Sequence, residues 1–168
     1  DFDDLPQGWI SLQGDVTDEK SLAQAVELIK KKFGRLDILI ANAGMVPPWS
    51  ETDAIDLDEW DRIFAVNVRG VMASIKQTTP LMKETGGSII AMGSLNSYRA
   101  HPRQCLYTAT KHAVLGIVRA TALDLVRYNI RVNALSPGPI ATEALVERIQ
   151  THPNAGGPPS EQPLYAIR

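Results

Sequence analysis

Cysteine is almost absent from this sequence. Cys105 stands alone, so no internal disulfide can form, and a reducing cytoplasm is the expected setting. Three scattered histidines beside that one thiol offer no metal-ligand spacing, so no metal is expected. A surplus of positive charge is missing too. The net charge is −2 and the pI about 5.9, which argues against a nucleic-acid partner. No apolar run approaches the roughly 20 residues of a membrane helix, and no signal-peptide pattern opens the chain, so no membrane association is expected. Two further absences stand out. Asp1 occupies the place of an initiating methionine, and neither G-x-x-x-G-x-G nor G-x-G-x-x-G occurs anywhere. Such a glycine turn is where backbone N–H groups at a helix N-terminus grip a pyrophosphate.

What remains is ordinary material for one soluble domain: 168 residues, 44% hydrophobic and 21% charged. Strand-like and helix-like segments alternate along it. Residues 9–16 (WISLQGDV) read as a short strand. Thr17 can cap a helix that carries Asp18 and Glu19 in its first turn. Leu22, Val26, Ile29 and Phe33 form its apolar stripe, Lys30 to Lys32 sit at its negative end, and Gly34 stops it. Residues 36–44 (LDILIANAG) are too apolar to alternate, which predicts a parallel strand buried on both faces. Asp56 with Glu59 opens a long helix in capping-box fashion. Residues 87–94 read as a second buried strand, Gln104 to about Tyr128 as a long helix, and residues 130–138 as a further strand. TEALVERIQ predicts a short helix, and residues 151–168 have tail or lid composition. The alternation implies βαβ units and a parallel sheet, with ligands gathering beyond the strands' carboxyl ends. Those ends carry Asp15, Asn42-Ala43-Gly44, Ser94 and Pro137-Gly138.

Four polar side chains suggest chemistry there. Tyr107 and Lys111 lie at i, i+4 and so stack on one helix face. Moving a phenol pKa from about 10 to near 7 takes roughly 4 kcal/mol, and one cation about 4 Å away at an effective dielectric near 20 supplies that much. Alone, the pair reads rather as a packed tyrosine with its hydroxyl at the rim. Ser94 ends a strand thirteen residues before Tyr107, within reach of the helix start, although a serine there also serves as a simple turn cap. Asn67 shares an apolar stripe with Trp60, Phe64 and Val71; a buried amide without partners costs roughly 1–3 kcal/mol, so it should hold backbone groups or water. Cys105 reads as a packing residue rather than a nucleophile. His112 reads as a helix-side polar group, His101 as a loop residue before Pro102, and Trp49 and Trp60 as packing groups.

The strings GDVTD, ANAG, VNVRG, GSIIAMGS, YTATK and RVNALSPGPIAT, in this order and spacing, resemble the short-chain dehydrogenases/reductases over about residues 9–142. The resemblance implies an α/β fold, a Rossmann-like doubly wound parallel sheet. It implies NAD or NADP as cofactor and hydride transfer between a secondary alcohol and a ketone, a small-molecule substrate. Carried over, Tyr107 is the general acid or base, Lys111 lowers its pKa and holds the nicotinamide ribose, Ser94 bonds the substrate oxygen, and Asn67 positions a relay water. Asp15 and Val16 resemble the adenine contacts, Asn42, Ala43 and Gly44 the segment lining the cofactor, and Pro137, Gly138, Ile140 and Thr142 the nicotinamide-side contacts. Ala41 replaces the first Asn of the usual NNAG. The small residues Ala109, Ala113, Gly116 and Ala120 form the helix face through which such enzymes assemble, implying a homodimer or homotetramer.

The missing glycine turn makes the expected sheet incomplete. In strand order 3-2-1-4-5-6 this chain supplies strands 3 to 6, and strand 3 would lie three spacings, about 14 Å, from strand 4. Residues 36–44 would then present an apolar edge. The expectation is one partial domain over residues 1–168, an interior piece of a longer enzyme that is inactive by itself. The competing reading is a non-catalytic fragment or pseudoenzyme that keeps the fold for binding or assembly.

Overall fold

The computed structural model describes residues 5–140. Thr142, the TEALVERIQ helix and the 151–168 segment lie outside the described residues.

Helix α1 (Glu19–Phe33) begins at Asp18, whose carboxylate accepts the Lys20 N–H at 3.0 Å. The cap is therefore Asp18 and not Thr17. Thr17 is engaged one step earlier, where Asp15 Oδ1 accepts both its N–H and its hydroxyl at 2.8 Å. Gly34 closes the helix in the left-handed region (φ 73°) and donates its N–H to Lys30 O at 2.9 Å. The predicted apolar stripe is only half covered: no residue of α1 is buried, and Phe33 is 53% exposed.

The predicted strand over residues 9–16 does not form. A strand exists through its ladder, and no described strand pairs with this segment, which instead runs irregularly with Trp9 and Leu12 exposed. The described sheet has three parallel strands in the order β1 (Ile38–Ala41), β2 (Gly87–Met92), β3 (Ile130–Leu135). Ile38 aligns with Ser88, and Gly87 with Ile130. That register lines up Leu39, Ile89 and Val132, then Ala41, Ala91 and Ala134, on one face. Ile89 and Ala91 are fully buried there. The opposite face carries Ile38 and Ile40, each 59% exposed, so β1 is buried on one face and not on both. As expected, β1 is an edge strand with apolar surface showing.

Two helical stretches cover the buried face. The first is α2 (Leu57–Phe64), capped by Asp56, which accepts the N–H groups of Asp58 and Glu59. It runs into a π turn (Ala65–Arg69) and continues as α3 (Gly70–Thr78). Trp60 and Phe64 stack at 5.0 Å, the packing role predicted for Trp60. Glu19 of α1 is held against this rod by Arg69 (2.7 Å) and Lys76 (3.3 Å). The contact is close: a Cβ built on Gly70 would stand 2.7 Å from Val16 Cγ2.

The second is α4 (Cys105–Leu125), with a 3-10 turn (Val126–Tyr128) and left-handed Asn129 leading into β3. Leu106, Thr110, Val114, Val118 and Leu125 recur along its buried stripe, and Val114 shares the core with Ile89, Ala91 and Val71. No helix among the described residues is long and apolar enough to cross a membrane.

Candidate active site

The parallel ladder brings three strand ends to one edge of the sheet. Asn42, Ala43 and Gly44 follow β1 and are exposed; Gly93 and Ser94 follow β2; Ser136, Pro137 and Gly138 follow β3. Close approach explains the small residues. A Cβ at Gly93 would lie 2.5 Å from Ser136 Oγ, and one at Gly44 would touch Asn67 Oδ1 at 3.5 Å and Lys111 Nζ at 4.0 Å. Gly44, Asn67 and Lys111, from three separate segments, therefore meet at one point.

Asn67 sits within the π turn, where the Gly70 N–H reaches back to Ala65 O. Such turns carry one extra residue and recur at functional sites. Its side chain is 1% exposed and clasps the Met45 backbone twice. Oδ1 accepts the Met45 N–H at 2.7 Å, and Nδ2 donates to Met45 O at 2.8 Å. Nδ2 also reaches Thr110 Oγ1 at 3.4 Å, and that hydroxyl donates to Tyr107 O at 2.8 Å. One amide thus ties the loop after β1 to the helix of Tyr107. Asn67→Ala strands these backbone groups and is expected to cost about 2–4 kcal/mol, at 1–3 for each unsatisfied buried group. Urea unfolding of the full-length protein measures it.

Lys111 is 7% exposed, unusual for a lysine. Its Nζ donates to Met92 O at 2.8 Å, at the carboxyl end of β2, and lies 5.5 Å from the Tyr107 ring centroid. Burial holds its pKa below the ordinary 10.5. Tyr107 is half-buried and faces a cleft whose walls include Pro47, Trp49, Ile55, Glu59, Arg103 and Leu106. Arg103 Nε donates to Glu51 Oε1 at 2.6 Å across the cleft's rim, and Arg103 O accepts from Ser50 N at 3.0 Å. Cys105 also lines this cleft and is exposed, so it is not the packing residue predicted; the first turn of α4 turns it outward.

Ser94 precedes a 3-10 turn (Leu95–Ser97) and caps it, accepting the Asn96 N–H at 3.2 Å while its own N–H donates to Ser97 Oγ at 3.1 Å. A hydroxyl accepting one bond still has a proton to donate. Pro137 is held to this turn, its carbonyl accepting Leu95 N–H at 2.9 Å. Gly138 and Ile140 are exposed beyond it.

At the other end of the edge, Val16, Ile40, Ala41, Asn42, Ala43 and Gly70 line a second cleft. Asp15 is exposed beside Val16, and the Thr17 N–H and hydroxyl hold its carboxyl below the usual range. The predicted site residues thus fall in two groups. Asn67, Gly44, Tyr107 and Lys111 cluster with Ser94 on the adjoining turn, while Asp15 and Val16 stand with Asn42 and Ala43. Sequence reasoning missed Thr110, Met45 and Asn96. Thr110 left a usable trace, a small polar residue recurring on the apolar stripe of α4.

The residues present suit the ribose of a dinucleotide's end. Lys111 commits one of its three N–H donors to Met92 O, next to strand ends stripped to alanine and glycine, so a ribose diol finds both a donor and room.

A family model described as Enoyl-(Acyl carrier protein) reductase matches residues 3–158. An uncharacterized oxidoreductase of Thermotoga maritima is 39% identical over 142 residues, 84% of this chain and 55% of that protein. Among solved structures, NADP-bound ElxO superposes with a TM-score of 0.79 at 31% identity, over 84% of this chain and 58% of that one. NAD+-bound xylitol dehydrogenase gives 0.82 at 28%, over 88% and 57%. The chain spans about half the length of the curated relatives it matches.

Proposed function

Because this chain belongs to the short-chain dehydrogenase/reductase family of oxidoreductases, with an incomplete Rossmann-like fold, we propose that its full-length protein interconverts a secondary alcohol and a ketone with NAD or NADP. The observation that carries this reading is the placement of Lys111. A buried ammonium lies between Met92 O, the Tyr107 ring and the approach of Gly44 and Asn67, at the end of the sheet where ligands gather. A coenzyme held there would supply or accept the hydride. Everything else falls to the chain's own side chains.

In the reducing direction, the Tyr107 phenol gives its proton to the carbonyl oxygen, and in oxidation the phenolate takes it back. The Ser94 hydroxyl donates a hydrogen bond to the same oxygen, stabilising the negative charge that develops there. Lys111 favours the phenolate and holds the nicotinamide ribose. Asn67 and its Met45 clasp fix the relay water and the loop that floors the site. Asp15 and Val16 would receive the adenine end, Asn42 and Ala43 would line the path between, and Pro137, Gly138 and Ile140 would border the nicotinamide. The outer face of α4, where a Cβ on Gly116 would meet nothing within 4 Å, supports assembly as a homodimer or homotetramer.

Full-length protein mixed with NADH or NADPH and a panel of aliphatic and cyclic ketones is expected to consume one coenzyme per ketone reduced. Coenzyme binding without turnover on any carbonyl in the panel would instead identify a non-catalytic relative.

A further inference from the structure

We propose that Asn96 is a positioning residue for this reaction: its carboxamide locks the Ser94 turn onto the first turns of the Tyr107 helix. The inference rests on the roles assigned above to Ser94 and Tyr107.

The need for such a lock comes from the intervening chain. Residues 98–103 are exposed, Tyr98 at 59%, and Arg103 adopts φ 61°, a left-handed value that few side chains favour. A solvent-facing loop of this kind does not by itself hold a serine hydroxyl and a phenol at a fixed separation. Asn96 spans the gap directly. It is 6% exposed, and its Nδ2 donates to Gln104 Oε1 at 2.9 Å and to Thr108 Oγ1 at 3.1 Å. Those acceptors bracket Tyr107, one three residues before it and one immediately after.

Asn96 is fixed to Ser94 just as firmly. Its own N–H donates to Ser94 Oγ, so its backbone holds Ser94 while its side chain holds Gln104 and Thr108 on either side of Tyr107. Gln104 occupies the N-cap of α4, yet its side chain makes no cap bond to the helix. It is turned to Asn96 instead. Leu95 N–H to Pro137 O anchors the same turn from the third strand end. With the turn held on both sides, the Ser94 hydroxyl has one place to stand.

Asn96→Ala in the full-length protein is expected to lower kcat for ketone reduction about 10- to 100-fold, because misplacement by about 1 Å has an effect of this order. The coenzyme KM stays within about twofold, since Asn96 touches neither Lys111 nor the cleft at Val16. A double-mutant cycle decides between positioning and general structural support. In a Ser94→Ala background the same substitution is expected to cost less than about twofold. An equal loss in both backgrounds, or wild-type turnover in Asn96→Ala, overturns the proposal. Should Asn96→Ala fail to fold, Thr108→Val removes one of the two acceptors and is read by the same cycle. Hydrogen exchange gives a measurement free of turnover. The Asn96 and Ser97 amides exchange faster in the variant while β2 amides do not, and unchanged protection of the turn sinks the proposal. A wild-type protein that reduces no ketone removes the assigned reaction and this inference together, whereas an active wild type with an indifferent Asn96 removes the inference alone.

Discussion

Tyr107→Phe in the full-length protein is expected to reduce kcat for ketone reduction by about 10²–10⁴-fold, the usual worth of a general acid or base. The substitution deletes one oxygen from a half-buried ring and leaves the packing of α4 unchanged, because the core contacts of that helix run through Leu106, Thr110 and Val114. Thr110 still donates to the carbonyl of residue 107, and Lys111 still reaches Met92 O. Coenzyme affinity, read by quenching or transfer of nicotinamide fluorescence, should therefore stay within a few-fold of wild type. The diagnostic pattern is lost turnover with retained binding. Near-normal turnover in the phenylalanine variant would take the proton-transfer role away from Tyr107 and leave the site without an acid.

Lys111→Met separates activity from stability in a different way. An ammonium about 5 Å from a phenolate at an effective dielectric near 20 contributes about 3 kcal/mol, equivalent to roughly two pKa units. Without it, the pH at which alcohol oxidation reaches half its maximum should rise by about two units, and turnover near neutral pH should fall about 100-fold. Stability responds with the opposite logic. Burial holds the folded-state pKa of Lys111 below 10.5, the value it regains when unfolded. Between those two values the unfolded chain binds more protons, so wild-type stability rises with pH over that interval and is flat with respect to this group outside it. Methionine abolishes the rise. At neutral pH the lost bond to Met92 O and the relieved burial of charge oppose each other, so the net change should stay within about 1 kcal/mol. Urea titrations at a series of alkaline pH values, set beside the pH–rate profile of oxidation, test both statements. A rate profile that does not move would mean that Lys111 acts on the ribose alone.

The elements that proved legible are those whose signals are local. Asp56 before a helix, Gly34 after one, three lysines in a last turn, the apolar runs of β1 and β2 and the alternation of β3 each announce themselves within a few residues. The gathering of Gly44, Ser94 and Pro137 is also within reach, because parallel strands always deliver their carboxyl ends to one edge. Other features depend on partners that sequence does not display. Residues 9–16 have the composition of a strand but pair with no described strand, and Ile38 and Ile40 have the composition of a core yet are 59% exposed among the described residues. Cys105 was misplaced because a helix's first turn has one side on the core and another on the cleft. Asn96 escaped notice for a different reason. An asparagine in a serine-containing turn has the look of turn chemistry, and its acceptors lie eight and twelve residues away.

The extra residue at Ala65–Arg69 changes what one rod can serve. Advancing an α-helix by a single residue turns it by about 100°, so the stretch before the π turn and the stretch after it are out of phase. Upstream, Glu59 borders the cleft of Tyr107; downstream, Val71 and Ile75 belong to the core against β1 and β2. In an unbroken α-helix Val71 and Ile75 would stand roughly 80° and 120° round from the buried Ile63 of the upstream stretch; absorbing one residue brings both to within about 20° of it. The swivel thus lets one length of chain keep a single inward side from Ile63 to Ile75, with Asn67 at the pivot.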